Sequence, residues 1–171
     1  MLEKLAADKN VDVLVAIASN PMTSDNLLEH LADDEAPAIR AMVVRNPSTQ
    51  ATLLKKLAND ESEFVRFEVV RNPSTPANSL KELANDEALV VRAAVAENPN
   101  TPADSPERLA NDDEYHVLIY VALNPNTPVA LLEQLADNEA PVVRAAVIER
   151  AKELADTDFA AYVTAIAKSY D

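Results

Sequence analysis

The side chains that could carry acid-base or nucleophilic chemistry in this 171-residue chain are few, and their spacing does not suit that work. The two histidines, His30 and His116, lie far apart in the chain. No serine or carboxylate stands where it would complete a nucleophile, base and orienting acid with either of them. The 29 Asp and Glu show no calcium-loop spacing, and that loop needs a central glycine. The chain has no glycine and no cysteine. Without glycine, the phosphate-cradling loop and the dinucleotide fingerprint are excluded, because both need close backbone approach. Without cysteine, disulfides, thiolate metal sites, iron–sulfur clusters and cysteine nucleophiles are excluded. These absences predict a protein that is not an enzyme and has no cofactor and no metal site.

Two other groups of residues could recognise a partner. Arg40, Arg66, Arg92 and Arg144 recur in register, and their guanidinium forks suit a carboxylate or phosphate. Each also stands beside a regular β-branched residue and close to a turn aspartate, so an internal ladder is the alternative use. Leu14 and Leu118 replace the arginine, and Asn138 replaces the aspartate, so the ladder should break in those copies. The second group is aromatic. The chain has four Tyr and three Phe, and Phe64, Phe67, Tyr115 and Tyr120 fall in two short segments, with His116 beside them. An exposed aromatic cluster suits protein recognition; packing between neighbouring helices is the alternative.

The elements that must position these residues follow from a strict repeat. Asn-Pro occurs at Asn20, Asn46, Asn72, Asn98 and Asn124, each 26 residues after the last. Counting Asn as position 1, position 4 is Thr23, Thr49, Thr75, Thr101 and Thr127, and position 12 is Leu31, Leu57, Leu83, Leu109 and Leu135. Position 13 is always alanine, and positions 20 and 24 are always Val or Ile. Apolar residues at positions 8, 9 and 12, then at 20 and 24, have the spacing of two short amphipathic helices, A and B. Thr-Pro pairs predict a capping hydroxyl and a first-turn proline for helix A. Asp34, Asp60, Asp86 and Asp112 are expected to cap helix B. Asn-Pro ends helix B, because the residue before proline leaves the α region, and Asn tolerates turn conformations.

Such a helix pair cannot bury its apolar face alone, so the copies must stack. The expected architecture is one all-α solenoid domain, 1–171. It comprises a truncated copy at 1–19, five repeats over 20–149 and a helical cap at 150–171. In the cap, helix B continues through Leu154 and Asp156 or Thr157 starts a last helix ending near Ser169. In the fourth repeat Ser105-Pro106 replaces an apolar pair, which predicts a helix A of about one turn starting at Pro106 with Ser105 as its cap.

On helix B, positions 19, 22, 23 and 26 lie opposite the core contacts at about 100° per residue. In the second repeat these are Phe64, Phe67, Glu68 and Arg71; in the fourth they are His116, Ile119, Tyr120 and Leu123. With 48% apolar and 26% charged residues the composition is globular. The formal charge of -14 disfavours nucleic acid and anionic membranes. The first residues, Met1 to Leu5, lack the order of a signal peptide, and no stretch reaches the roughly 20 apolar residues of a membrane span, so a cytoplasmic location is expected.

The unit NP-x-T-x-x-x-L-L-x-x-L-A-x-D-E-x-x-x-V-R-x-x-V, cleanest over Asn124 to Val147, resembles the leucine-rich repeat variant family. It is also similar to HEAT repeats, in which a turn Asp and an Arg six residues later form a ladder between neighbouring units, as Asp34 and Arg40, Asp60 and Arg66, and Asp86 and Arg92 would here. The resemblance implies a right-handed superhelix of an α-helix alternating with a shorter or 3₁₀ helix. Some relatives carry an iron–sulfur module, which a chain without cysteine does not share.

The function expected is a non-catalytic protein or peptide adaptor using the concave helix-B face, with Phe64, Phe67, Arg71, His116 and Tyr120 as contact residues. Two alternatives stand beside it. One is a structural protein that self-associates through its ends, where Leu2 and Leu14 leave the first copy poorly covered. The other is a HEAT-like protein acting on nucleic acid, which would need a basic groove.

Overall fold

A computed structural model describes residues 10–102 and 104–154, together with Phe159, Ala161 and Val163. Among the described residues every regular element is a helix. In chain order these are α1 Val11–Ala18, α2 Asp25–Leu31, α3 Pro37–Arg45, α4 Ala51–Leu57, α5 Glu63–Arg71 and α6 Ala77–Leu83, then α7 Leu89–Glu97, α8 Ser105–Leu109, α9 Tyr115–Leu123, α10 Val129–Ala136 and α11 Pro141–Glu153. The even-numbered elements are helices A and the odd-numbered ones helices B. Helix A is a short α-helix, of 7 residues in α2, α4 and α6, and no 3₁₀ turn occurs among the described residues.

The chain forms two compact units, Met1–Leu83 and Ala84–Asp171. In the first, helices B pack in succession, α1 on α3 and α3 on α5, with helices A against them. In the second, α7, α9 and α11 pack in the same succession. Helices of this length are marginal alone, so they persist because of what they bury. The repeated Leu, Val and Ile positions supply that burial: Leu28, Leu31, Ile39, Val43, Leu54, Val65 and Val69 in the first unit are at most 1% exposed. In the second, Val91, Val95, Leu109, Val117, Val121, Leu132, Leu135, Val143 and Val147 fill the same positions. The alanine after each position-12 leucine is buried too, at the turn out of helix A where only a small side chain fits.

The polar repeat positions hold the copies in register. Asn46 Nδ2 donates to the carbonyls of Ala18 (2.6 Å) and Asn20 (2.9 Å), at the end of the preceding helix B, while its Oδ1 accepts from the Ser48 N–H. Asn72 repeats this towards Val44 O and Ser74 N–H. Asn124 does so towards Ala96 O, Asn98 O and Asn126 N–H. Each asparagine therefore makes its own turn and also donates to carbonyls one copy back, among them Ala18 O and Ala96 O in the last turn of a helix B. The sixth place in this register is Arg150. There helix B runs on to Glu153 as expected, and Arg150 Nη2 reaches Pro125 O at 3.0 Å instead.

Three expectations about helix ends change. The Thr hydroxyls do not cap helix A. Thr23, Thr49, Thr75, Thr101 and Thr127 each donate to the carbonyl six residues earlier, in the last turn of helix B, at 2.5 to 2.6 Å. The proline after Thr127, Pro128, is the N-cap of α10 rather than its first residue. The turn aspartates do not occupy the N-cap either. Asp34, Asp60, Asp86 and Asp112 accept the N–H two residues on, from Ala36, Ser62, Ala88 and Glu114, and those residues are the N-caps. No described residue has positive φ, and Asn46, Asn72, Asn98 and Asn124 are extended with φ between -75° and -65°. Asparagine is present for its side-chain bonds, and the absence of glycine carries no conformational cost.

In the fourth repeat α8 has 5 residues, the shortest helix described, with Asp104 rather than Ser105 at its N-cap. The Ser105 hydroxyl is buried without a hydrogen-bond partner. The truncated first copy through Lys9 and most of the final helix lie outside the described residues. Leu14, expected at a poorly covered end, is buried.

Asn124→Ala removes the buried bond to Ala96 O and the part-buried one to Asn98 O and should lower stability by about 1–3 kcal/mol. Asn126→Ala, which removes a single exposed bond to Pro99 O, should cost less than about 1 kcal/mol. Urea denaturation of the two variants beside the parent checks the order.

Candidate recognition surface on helices B

The arginine row is engaged within the fold. Arg40 Nε and Nη2 donate to both carboxylate oxygens of Asp60 in the next repeat, each at 2.7 Å, and Nη1 donates to the carbonyls of Asp34 and Glu35 in its own. The Arg40 and Asp60 side chains are only 7% and 6% exposed. Arg92 does the same with Asp112 (2.6 and 3.1 Å) and with Asp86 O and Glu87 O. Arg66 and Arg144 bind the matching carbonyls of their own turns. The ladder reading holds, and the partner of each paired arginine is the aspartate 20 residues ahead. Position 118 would pair with position 138 in this scheme, so Leu118 and Asn138 are the two ends of one rung, lost together.

Hydrogen bonding by the carboxylates outweighs desolvation and raises the Arg40 and Arg92 guanidinium pKa values further above their ordinary level. Burial alone would push the Asp112 carboxyl up. The Arg92 bonds, the Glu114 N–H and the Arg92 charge together outweigh that and hold it below the usual carboxylate value of 3.8.

The aromatic residues are divided between the two units. On α5, Phe64 is 44% exposed and lies under the Arg45 guanidinium, 6.0 Å from its ring centroid. Phe67 is half-buried with the Arg71 guanidinium 5.4 Å from its centroid. These distances are within cation–π range. Phe67 and Arg71 are thus paired, while Phe64 meets Arg45 of the previous copy. Glu68, expected to face outward, is 5% exposed and takes both Arg45 donors at 2.7 and 2.6 Å, tying α3 to α5. On α9, His116 is exposed and stacks with Tyr115 at 4.1 Å, and Tyr120 is 37% exposed. His116 and Tyr120 share α9, but the ring that His116 meets is Tyr115.

Sequence reasoning missed part of the exposed surface. Among the described residues nine large hydrophobic side chains are exposed, and eight of them lie on helices B: Val11, Phe64, Leu89, Val90, Tyr115, Tyr120, Leu123 and Val142. Val90 and Val142 fill position 19, which is expected to face outward, but they lack the aromatic character that singles out Phe64 and Tyr120. The same pattern shows in the Val90-Val91 and Val142-Val143 pairs: position 20 is buried in all five repeats, and its neighbour at position 19 faces outward.

The asparagine, threonine and arginine rows all join one copy to the next, which defines a helical repeat protein of the all-α solenoid class. Residues 89–114 match the family profile named leucine rich repeat variant. Among solved structures the chain is similar to a leucine-rich repeat variant reported to have a novel repetitive structural motif, at 26% identity and a TM-score of 0.73. The match covers 87% of this chain and 59% of that one. A search of curated proteins found no match. Among the described residues no helix is long and apolar enough to cross a membrane, and no cluster of His, Asp and Glu is arranged to hold a metal ion.

The ladder predicts a dependence on acid. Because the folded Asp112 pKa is lowered, its contribution is fully present above the unfolded value and is lost as pH falls through the folded one. Asp112→Asn should therefore be destabilising at neutral pH, and the gap to the parent should close below about pH 4. Chemical denaturation of both proteins from pH 7 to pH 3 measures this.

Proposed function

We propose that this chain is a non-catalytic scaffold that holds a protein or peptide on the outer face of its helices B. The observation that carries the reading is the distribution of exposed apolar side chains: eight of nine among the described residues are on helices B. Scattered exposed hydrophobics need no explanation, but their concentration on one kind of element marks an interaction surface. Its aromatic members and arginines are the residue types enriched at binding hot spots. The contact residues proposed are Phe64, Phe67 and Arg71 on α5 and His116 and Tyr120 on α9. A scaffold without catalysis also fits the use of the regular polar rows, whose hydrogen bonds are made within the fold.

Capture from an extract of the native host tests the reading. The parent is compared with a Phe67→Asp, Tyr120→Asp double variant whose helicity and melting match it. The expected result is a partner retained by the parent and lost by the variant. Equal retention by both would move the surface off helices B.

A further inference from the structure

The helix-B face of the second unit carries a charge pattern that names the chemistry of its occupant. Its apolar row runs across the starts of α7, α9 and α11 through Leu89, Val90, Tyr115 and Val142, all 36% exposed or more, and continues along α9 through Tyr120 and Leu123. Exposed carboxylates lie along one edge of the row, at Glu87, Glu114 and Glu139. Acidic residues there also suit the positive ends of the helices, so this edge alone decides nothing. The opposite edge decides it. Position 26 of helix B is Glu97 on α7 and Glu149 on α11, both exposed. Glu97 is the last residue of α7, the end of the dipole where a carboxylate is unfavourable. In the first unit the same position holds Arg45 and Arg71. Between residues 84 and 154 there are 13 Asp and Glu against five Arg and Lys, and of the five basic residues Arg92, Arg150 and Lys152 are paired with Asp112, Glu153 and Glu149.

Resting on the scaffold reading above, we infer that the helix-B face of the second unit is the docking surface for a basic amphipathic helix of a partner protein. The apolar side of that helix covers the Leu89, Tyr115 and Val142 row, and its Lys and Arg meet the carboxylates along both edges. The occupant is a helix because this face is built from helices whose backbone groups are already bonded. An extended segment would lose its water partners over apolar side chains and gain none, whereas a helix satisfies its own backbone. Neighbouring helices B stand roughly 10 Å apart, so the row spans about 20 Å. About 14 residues of helix cover that length, with apolar anchors about two turns apart.

The test uses two labelled synthetic peptides of about 18 residues with leucine at i, i+3, i+4 and i+7 spacing, one carrying Lys at its polar positions and the other Glu. Fluorescence anisotropy measures binding to the full chain. The expected result is that the Lys peptide binds at least about tenfold more tightly than the Glu peptide and weakens as salt rises. Glu97→Lys with Glu139→Lys should weaken it about tenfold and flatten its salt dependence, as should Val142→Asp for affinity alone. Met22→Asp, on the first unit and off the helices B, should leave it unchanged. Circular dichroism establishes that each variant is folded. Equal binding of the two peptides, or loss of binding with Met22→Asp alone, would overturn the assignment. So would the absence of binding by both peptides, and that result leaves the scaffold reading to be decided separately by the extract capture, which makes no assumption about charge.

Discussion

Buried asparagine side chains impose the repeat on which the rest of the structure depends. A helix that stops leaves carbonyls unpaired, and in a stack of short helices every copy has such an end. The chain meets that requirement from the next copy: Asn46 reaches back 26 and 28 residues to Asn20 and Ala18, and Asn124 does the same to Asn98 and Ala96. Because both amide groups of one side chain are committed, to the previous copy and to its own turn, neither the register nor the length of the repeat can drift. Thr at position 4 takes a further carbonyl in the last turn of the helix B just before it, which belongs to the previous copy. Proline after the asparagine ends the helix at the residue whose side chain is needed.

The arginine ladder adds a second tie under a different constraint. A buried ion pair adds little net stability, but breaking one side of it leaves a buried charge that is costly. That asymmetry accounts for Leu118 and Asn138. An arginine at 118 facing a neutral 138 would be a buried charge without its carboxylate, and here both members are replaced; at the first copy only the arginine is, with Leu14 standing 20 residues before Asp34, whose carboxylate accepts the Ala36 N–H. The fourth repeat, where the rung is missing, is also the repeat with the shortest helix A and with a buried serine hydroxyl that makes no bond. Its remaining cohesion comes from apolar burial at Leu109, Val117 and Val121 and from the Asn124 bonds.

The repeat and the pairing of a short with a longer helix were legible because they are enforced at every copy, and five copies of one pattern outweigh any local ambiguity. The ends of the helices were not legible. A hydroxyl between two helices can serve the N–H groups ahead or the carbonyls behind, and spacing does not distinguish the two; Thr127 serves the carbonyl behind, Val121 O. The aspartate six residues before each arginine drew attention to the wrong partner for the same reason. Arg40 does contact its own turn, but through the backbone carbonyls of Asp34 and Glu35, while its carboxylate is Asp60, 20 residues on. Only the stacking of copies brings that group close.

The recognition surface was half legible, for a geometric reason. Counting 100° per residue treats helix B as covered on one side. In a row it is covered by neighbours on both flanks, so the outward strip narrows to positions 18, 19 and 26, with position 22 at its margin. Glu68, Ala94 and Ala146 at position 23 are buried in consequence, and Tyr120 reaches solvent from the same position because its ring is too large to be enclosed. The narrow strip is also why the charge at position 26 matters. It is exposed in all five repeats, and although Arg45 there bonds to Glu68 of the next copy, the side chain at this position can change from Arg71 to Glu97 and Glu149 without disturbing the buried contacts between helices. Residues under that constraint describe how the protein holds together. Those outside it, Val90, Tyr115, Val142 and the carboxylates at their edges, are where binding could be selected without disturbing the repeat.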